Sequence, residues 1–224
     1  MTMKITPIPA AHIYEFECDL DLLERAFADI KSYNFHWSEE ESDHDTGTLT
    51  SGGYLDKKNK VSWYHEELFN WMQGCVDQVA NETIKVPLAI SDSWVTKTEY
   101  KQRSTVHRHS WSVFSGVLYF SEHKSSTIRF QYFDHNRERF GNLFVDSRQG
   151  MLEYIPAKGK FLIFPSDIYH SIQVHTEPTN IRYSLAINTF FNGKIATDVT
   201  CVLQNNVVTV KDRFLQWKEQ QDKV

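Results

Sequence analysis

The feature that most constrains this chain is a change of period at Pro87. Before it, two stretches place apolar residues at helical spacing. After it come short runs rich in β-branched and aromatic residues, separated by turn residues. The runs near 90–99, 104–109, 113–121, 126–133, 143–145, 151–155, 160–165, 170–175 and 181–190 read as strands. Their close spacing leaves no room for crossover helices, so it predicts an antiparallel sandwich or barrel rather than βαβ units.

The N-terminal part reads differently. His12 to Cys18 reads as a short strand. Asp19 to Tyr33 predicts a helix, with Leu20, Leu23, Ala26, Phe27 and Ile30 on one stripe and Asp19 as its cap. Ser62 to Glu82 predicts a second, with Leu68, Trp71, Met72, Cys75, Val76 and Val79 on one face. Between them, 36–60 reads as a polar loop. Its acidic run lacks calcium-loop spacing, and its glycines at 47, 52 and 53 would suit a lid. Residues 211–222 read as a charged helix. The expected plan is a mainly β fold with flanking helices in one domain, 1–224. A helical and lid part, 1–86, precedes a β core, 87–192, and a C-terminal extension, 193–224, follows.

Composition narrows the function classes. Hydrophobic residues make up 41% and aromatics 14%, enough for a packed interior. The net charge of −5 argues against a protein whose main task is to neutralise phosphates, so nucleic acid is a disfavoured partner. Lys101, Arg103 and Arg108 form a local basic run that fits a solvated strand edge better than an anion-binding patch. No apolar run of the ~18 residues needed to span a bilayer occurs, so no membrane partner is expected. Cys18, Cys75 and Cys201 lie far apart, which fits a reduced, cytoplasmic setting rather than a disulfide framework. A homodimer is left open.

Several catalytic patterns fail. His65-Glu66 lacks the second histidine of a zincin helix, since position 69 is Phe. Ser110, Ser112 and Ser115 sit in no nucleophile elbow. One constellation stands out. In a strand end Thr105-Val-His-Arg-His109, His107 and His109 project to the same side. His170 opens a later strand after Phe164-Pro-Ser-Asp. Two imidazoles joined by a third from a distant strand make a site for Fe, Zn, Cu or Ni; the pair alone reads equally as surface residues.

The segment after His170 adds an anion anchor. A hairpin turning at Glu177-Pro-Thr-Asn180 would place Arg182 opposite Val174 and Ser184 opposite Ile172. At ~3.3 Å per residue that sets Arg182 roughly 13 Å from His170. A short dicarboxylate could then chelate the metal at one end and meet a bidentate guanidinium at the other. Arg182, Ser184, Ala186 and Asn188 would form the inner wall, while Tyr183, Leu185 and Ile187 face outward onto helices.

These residues, with Ser115-Gly-Val-Leu-Tyr-Phe120, Thr50-Ser-Gly-Gly-Tyr54 and the strand around Trp94, resemble the 2-oxoglutarate/Fe(II) oxygenases found in phage and marine bacterial genomes. The resemblance covers roughly 50–192. It implies a double-stranded β-helix, the cupin-like jelly roll, with Fe(II) and 2-oxoglutarate as cofactors. It implies His107 and His170 as iron ligands, and Arg182 with Ser184 as the holders of the distal carboxylate, with Tyr119 a further candidate. It also implies oxidation of a C–H bond, with release of succinate and CO2. One departure is visible. Where the family pattern has Asp or Glu two residues after the first histidine, this chain has His109. That leaves His109 as third ligand or as support for His107, with Asp134 as another source of a carboxylate. The rival readings are a three-histidine cupin-type dioxygenase that uses no oxoacid, and a non-enzymatic jelly-roll module such as a virion-associated protein.

Overall fold

Phe114-Ser-Gly-Val-Leu-Tyr119 is buried along its whole length, which only a strand covered on both faces can be. The computed structural model, which describes residues 3–8, 11–32, 38–39, 49–50, 65–110, 112–132 and 150–192, shows why. In chain order the strands and helices are β1 (Lys4–Ile8), β2 (Ala11–Glu17), α1 (Leu20–Ser32), β3 (Ser38–Glu39), β4 (Leu49–Thr50), α2 (Glu66–Glu82), β5 (Leu88–Thr98), β6 (Phe114–Tyr119), β7 (Ile128–Tyr132), β8 (Gly150–Tyr154), β9 (Lys160–Pro165), β10 (Tyr169–Ile172) and β11 (Arg182–Phe191). An eight-stranded antiparallel sheet runs β1-β2-β9-β6-β11-β5-β4-β3, and a smaller sheet runs β10-β7-β8. β6 lies near the middle of the larger sheet. One of its faces packs under the helices and the other looks into the space between the sheets. This is the sandwich that the strand spacing predicts, in the jelly-roll form that the family resemblance implies.

The two faces sort the core. On the helix side, Leu118, Phe161, Ile163, Leu185 and Ile187 pack with Leu23, Ala26, Met72, Val76 and Val79. Between the sheets lie Val117, Tyr119, Ile128, Phe130, Leu162, Phe164 and Ile168. Gly116 faces the helix side, where a β-carbon would come within 2.8 Å of Phe161 and 3.0 Å of Ile187. Gly159 has φ of +80°, and its carbonyl accepts the Cys18 N–H, so it serves both conformation and close approach.

The helices follow their sequence signals with two adjustments. Asp19 caps α1 by accepting from the Leu22 N–H at 3.0 Å. Leu22 fills the apolar stripe, whereas Leu20 is 54% exposed at the helix start. α2 begins at Glu66 because the His65 imidazole caps it, accepting from the Leu68 N–H at 3.1 Å. Cys18 and Cys75 are buried and unbridged, and burial pushes the Cys18 thiol up to about 12.

Three expectations need correction. Residues 170–174 and 182–190 form no hairpin. β10 pairs with β7 in the small sheet, and β11 pairs with β5 and β6 in the large one. The ~13 Å spacing built on that hairpin register therefore has no basis in the observed pairing. The run 104–109 is not a strand either; it meets β10 through an isolated bridge between His107 and His170 and through the Ser104 N–H, which donates to the Ile172 carbonyl at 3.1 Å. The segment 36–60 is not wholly a loop, because β4 extends the large sheet by pairing Leu49 with Lys97 and Thr50 with Thr96. The rest of that segment, the Thr50–Tyr54 motif beyond Thr50, the strand near 143–145, Asp134, Cys201 and the helix at 211–222 lie outside the described residues. Among those described, no helix is long and apolar enough to cross a membrane.

Candidate metal centre

His107 and His170 meet because their backbones pair. Each donates its N–H to the other's carbonyl, at 2.9 and 2.8 Å. Opposed residues of an antiparallel pair send their side chains to the same face, so both rings enter the space between the sheets. His109 reaches the same place two residues on, while Arg108, between them, turns outward and lies over the Tyr169 ring. The three ring centroids are 4.4, 5.1 and 5.2 Å apart. The ligating atoms of all three lie within 4.8 Å of one another.

The hydrogen bonds fix which nitrogen each ring offers. A carbonyl oxygen can only accept, so His107 Nδ1 donates to Thr105 at 2.9 Å and His170 Nδ1 donates to Ile168 at 3.0 Å. His109 Nδ1 sits 2.6 Å from Asn188 Oδ1, which also accepts from the Ser115 hydroxyl at 2.8 Å. Each ring therefore turns an Nε2 lone pair inward. Metal-binding histidines are prepared in this way, with the far N–H held by an acceptor. His109 Nε2 is buried and has no hydrogen-bond partner. A buried polar atom without a partner costs ~1–3 kcal/mol, and an ion at this point would remove that cost. Two imidazole nitrogens on one ion at ~2.1 Å are at most about 4.2 Å apart, so small ring rotations bring the cluster to a bound geometry.

Burial keeps the His109 and His170 rings neutral. It pushes His109 down to about 4, the nearby His107 adding to the effect and Asn188 opposing it. Burial likewise pushes His170 well below its ordinary value, with His107 and His109 contributing. A neutral ring is the form that ligates. The bonded groups that the described residues gather here include no carboxylate.

The second half of the site is a buried cation. Arg182 is 1% exposed, and among the described residues no carboxylate pairs with it. Its Nη1 donates to Thr98 Oγ1 at 3.4 Å, and its guanidinium lies 5.2 Å from the centre of the Tyr119 ring. The Arg182 Nε and the Tyr119 hydroxyl are both buried without a hydrogen-bond partner. A buried charge is normally paired, so this arrangement calls for an anion. Tyr119 belongs to the same apolar cluster as Phe130 and Phe164, whose rings also flank His170. The guanidinium and the histidines therefore share one interior.

The structure thus brings His107, His109 and His170 together and seals Arg182 and Tyr119 behind them. Ser184 is buried and lies opposite Tyr119 in the β11–β6 register. Sequence reasoning placed Asn188 on the inner wall but did not give it the role of holding His109. It also missed the stacking of Trp94 on His109, with centroids 5.6 Å apart. Both follow from the register, since Ala186 lies opposite Trp94 and Asn188 opposite Ser115.

Comparisons with known proteins bear on the fold. Residues 92–188 match the model of a family described as "Putative 2OG-Fe(II) oxygenase". No curated protein matches by sequence. Among solved structures, the chain is similar to the non-heme alpha ketoglutarate dependent epimerase SnoN from nogalamycin biosynthesis, with a TM-score of 0.60, 9% identity and 80% of this chain and 77% of that chain covered. It is similar to HygX from Streptomyces hygroscopicus, solved with nickel and 2-oxoglutarate bound (TM-score 0.57, 9% identity, 79% and 82% covered). A Pseudomonas putida prolyl-4-hydroxylase gives a TM-score of 0.53 at 13% identity, with 81% and 93% covered. At such identities the likeness speaks for the fold.

Proposed function

We propose, on the premise that segment 92–188 is that of a 2OG-Fe(II) oxygenase, that this protein oxidises a C–H bond of a substrate as yet unidentified, with conversion of 2-oxoglutarate to succinate and CO2. The observation that carries the reading is the sealed Arg182 guanidinium, without a carboxylate partner among the described residues, in the same interior as three converging imidazoles. A metal site alone has no use for that cation, so a three-histidine dioxygenase working without an oxoacid leaves Arg182 unexplained. A purely structural module explains neither.

In this reading His107, His109 and His170 hold Fe(II). The iron and the oxoacid together supply the activation of oxygen. Arg182 binds the distal carboxylate of 2-oxoglutarate, Tyr119 offers its hydroxyl to the same group, and Ser184 stands beside them. Asn188, Thr105 and Ile168 orient the ligating rings. Phe130, Phe164 and Ile168 keep water from the interior. His107, the least buried of the three histidines, marks the side from which substrate approaches. With three neutral ligands the ion keeps its full +2 charge, and the dianion of 2-oxoglutarate brings the centre to neutrality. We place the whole chain in one oxygenase domain, working in the cytoplasm without membrane or nucleic-acid partners.

The test is 2-oxoglutarate binding by calorimetry, in the presence of anaerobic Fe(II) or of Ni(II). Wild type should bind one equivalent only when metal is present, and Arg182→Met should lose that binding while retaining the metal. Metal-independent binding, or full binding by Arg182→Met, would overturn the assignment.

A further inference from the structure

We propose that His123, His175 and Glu177 form a second divalent-metal site, of the zinc class, separate from the three-histidine centre. It sits where the connection after β6 meets the one before β11. The ligating atoms of the three residues lie within 4.8 Å of one another. Both histidines are buried, and Glu177 is partly exposed.

Each donor is prepared for an ion. The Asn180 carbonyl accepts from His175 Nε2, so His175 Nδ1 carries the lone pair and points inward. The Ser126 hydroxyl, 2.6 Å away, donates to it, and the Ser125 hydroxyl lies 3.3 Å away; an ion would displace both. His123 Nε2 is held by the Ser121 hydroxyl at 2.6 Å. His123 Nδ1 is buried, has no hydrogen-bond partner, and lies 3.6 Å from Glu177 Oε2. That gap is too long for a hydrogen bond. It is close to the ~3.4 Å between two ligands on a tetrahedral ion with bonds of ~2.0–2.1 Å.

Glu177 is fixed and ionised. Its Oε1 accepts from the Lys124 and Ser125 backbone N–H groups at 2.8 and 3.1 Å, and its Oε2 accepts from the Asn180 amide at 2.9 Å. Burial alone would raise its carboxyl; the hydrogen bonds from Asn180 and from the Ser125 and Lys124 backbone outweigh that and hold it at about 2. The Arg182 charge reaches His123 and opposes a cation there; the carboxylate offsets it. Two imidazoles and one carboxylate, with solvent in the fourth position, suit Zn(II).

The position suggests a clamp. His123 follows Tyr119 by four residues, and Asn180 precedes Arg182 by two. His175 also bonds through its backbone to Lys101 and Gln102, on the approach to His107. An ion here would tie together the three connections that lead to the anion anchor and the first histidine.

The experiment uses the full chain with His107→Gln and His170→Gln, which removes the first centre, and Zn(II) alone as the probe. After passage over a chelating resin, bound zinc is counted by elemental analysis and by competition with a chromophoric chelator. One equivalent is expected to remain, and adding Glu177→Gln or His123→Gln should abolish it with the circular dichroism unchanged. Zinc should also slow amide exchange at 121–127 and 175–180. An absence of bound zinc in the double variant, or an equivalent that survives Glu177→Gln, would overturn the proposal, as would unchanged exchange in those segments. Because the first centre is absent throughout, a failure of the proposed oxygenase reading leaves this result unaffected.

Discussion

The His107 and His170 backbones exchange two hydrogen bonds, at 2.9 and 2.8 Å, and this one bridge brings ring centroids 4.4 Å apart from positions 63 residues apart in sequence. The site is thus positioned by backbone pairing rather than by long side chains reaching across. His170→Ala should leave that bridge in place and weaken metal binding by more than the ~10–100-fold that loss of a supporting partner costs. Competition with a chromophoric chelator measures it; unchanged affinity would remove His170 from the ligand set.

Asn188 tests the support of the third ring. Asn188→Ala removes the acceptor for His109 Nδ1 and for the Ser115 hydroxyl. Metal affinity should fall ~10–100-fold, and stability by ~1–3 kcal/mol for the buried donors left unpaired. Asn188→Asp keeps an acceptor and should retain most of the affinity. Metal titration and urea unfolding of both variants decide this.

Arg182 should separate function from stability. In the ligand-free protein its buried charge has no carboxylate partner among the described residues. Arg182→Met therefore removes an uncompensated charge and should leave stability unchanged or raise it, by up to about 1–4 kcal/mol, while abolishing succinate formation. Thermal unfolding without ligands gives the first quantity and a turnover assay the second. A strongly destabilised variant would show that the guanidinium is structural.

Acid should destabilise the metal-free protein in a defined window. His109 has a value of about 4 when folded, against ~6.5 unfolded. Between these values the unfolded state binds more protons, so stability is fully present above about pH 6.5 and declines as pH falls towards 4. The shift corresponds to roughly 3 kcal/mol, and His170 is displaced in the same direction. Urea unfolding with chelator present, at pH 7 and pH 5, should show the drop; equal stability at both would contradict it.

Gly116 offers a control away from the chemistry. Gly116→Ala would press a methyl group against Phe161 and Ile187 on the helix face. A loss of ~1–3 kcal/mol is expected from overpacking, with metal affinity unchanged because the site lies on the other face.

Much of this was legible in the chain. The period change at Pro87 marks where the long β segment begins, and the alternation in Arg182–Asn188 assigned the inner wall without any knowledge of strand partners. Partner choice was not legible. The run 170–174 and strand β11 look like a hairpin in sequence, yet each pairs elsewhere, because closing two sheets over one interior outweighs the local turn. β1 was missed for a similar reason. Lys4-Ile-Thr-Pro-Ile8 contains a proline and has a weak pattern, and it is a strand only because an edge position beside β2 tolerates that proline. Asn188 read as one more polar wall residue, since its role depends on a histidine 79 positions away.

The central claim is that three imidazoles and one guanidinium hold Fe(II) and 2-oxoglutarate in a single interior. The most direct measurement is the visible absorption of the anaerobic protein as Fe(II) and then 2-oxoglutarate are added. The account predicts a weak charge-transfer band that requires both additions and is missing in both His170→Ala and Arg182→Met. A folded wild-type protein that gives no band with both present would contradict it.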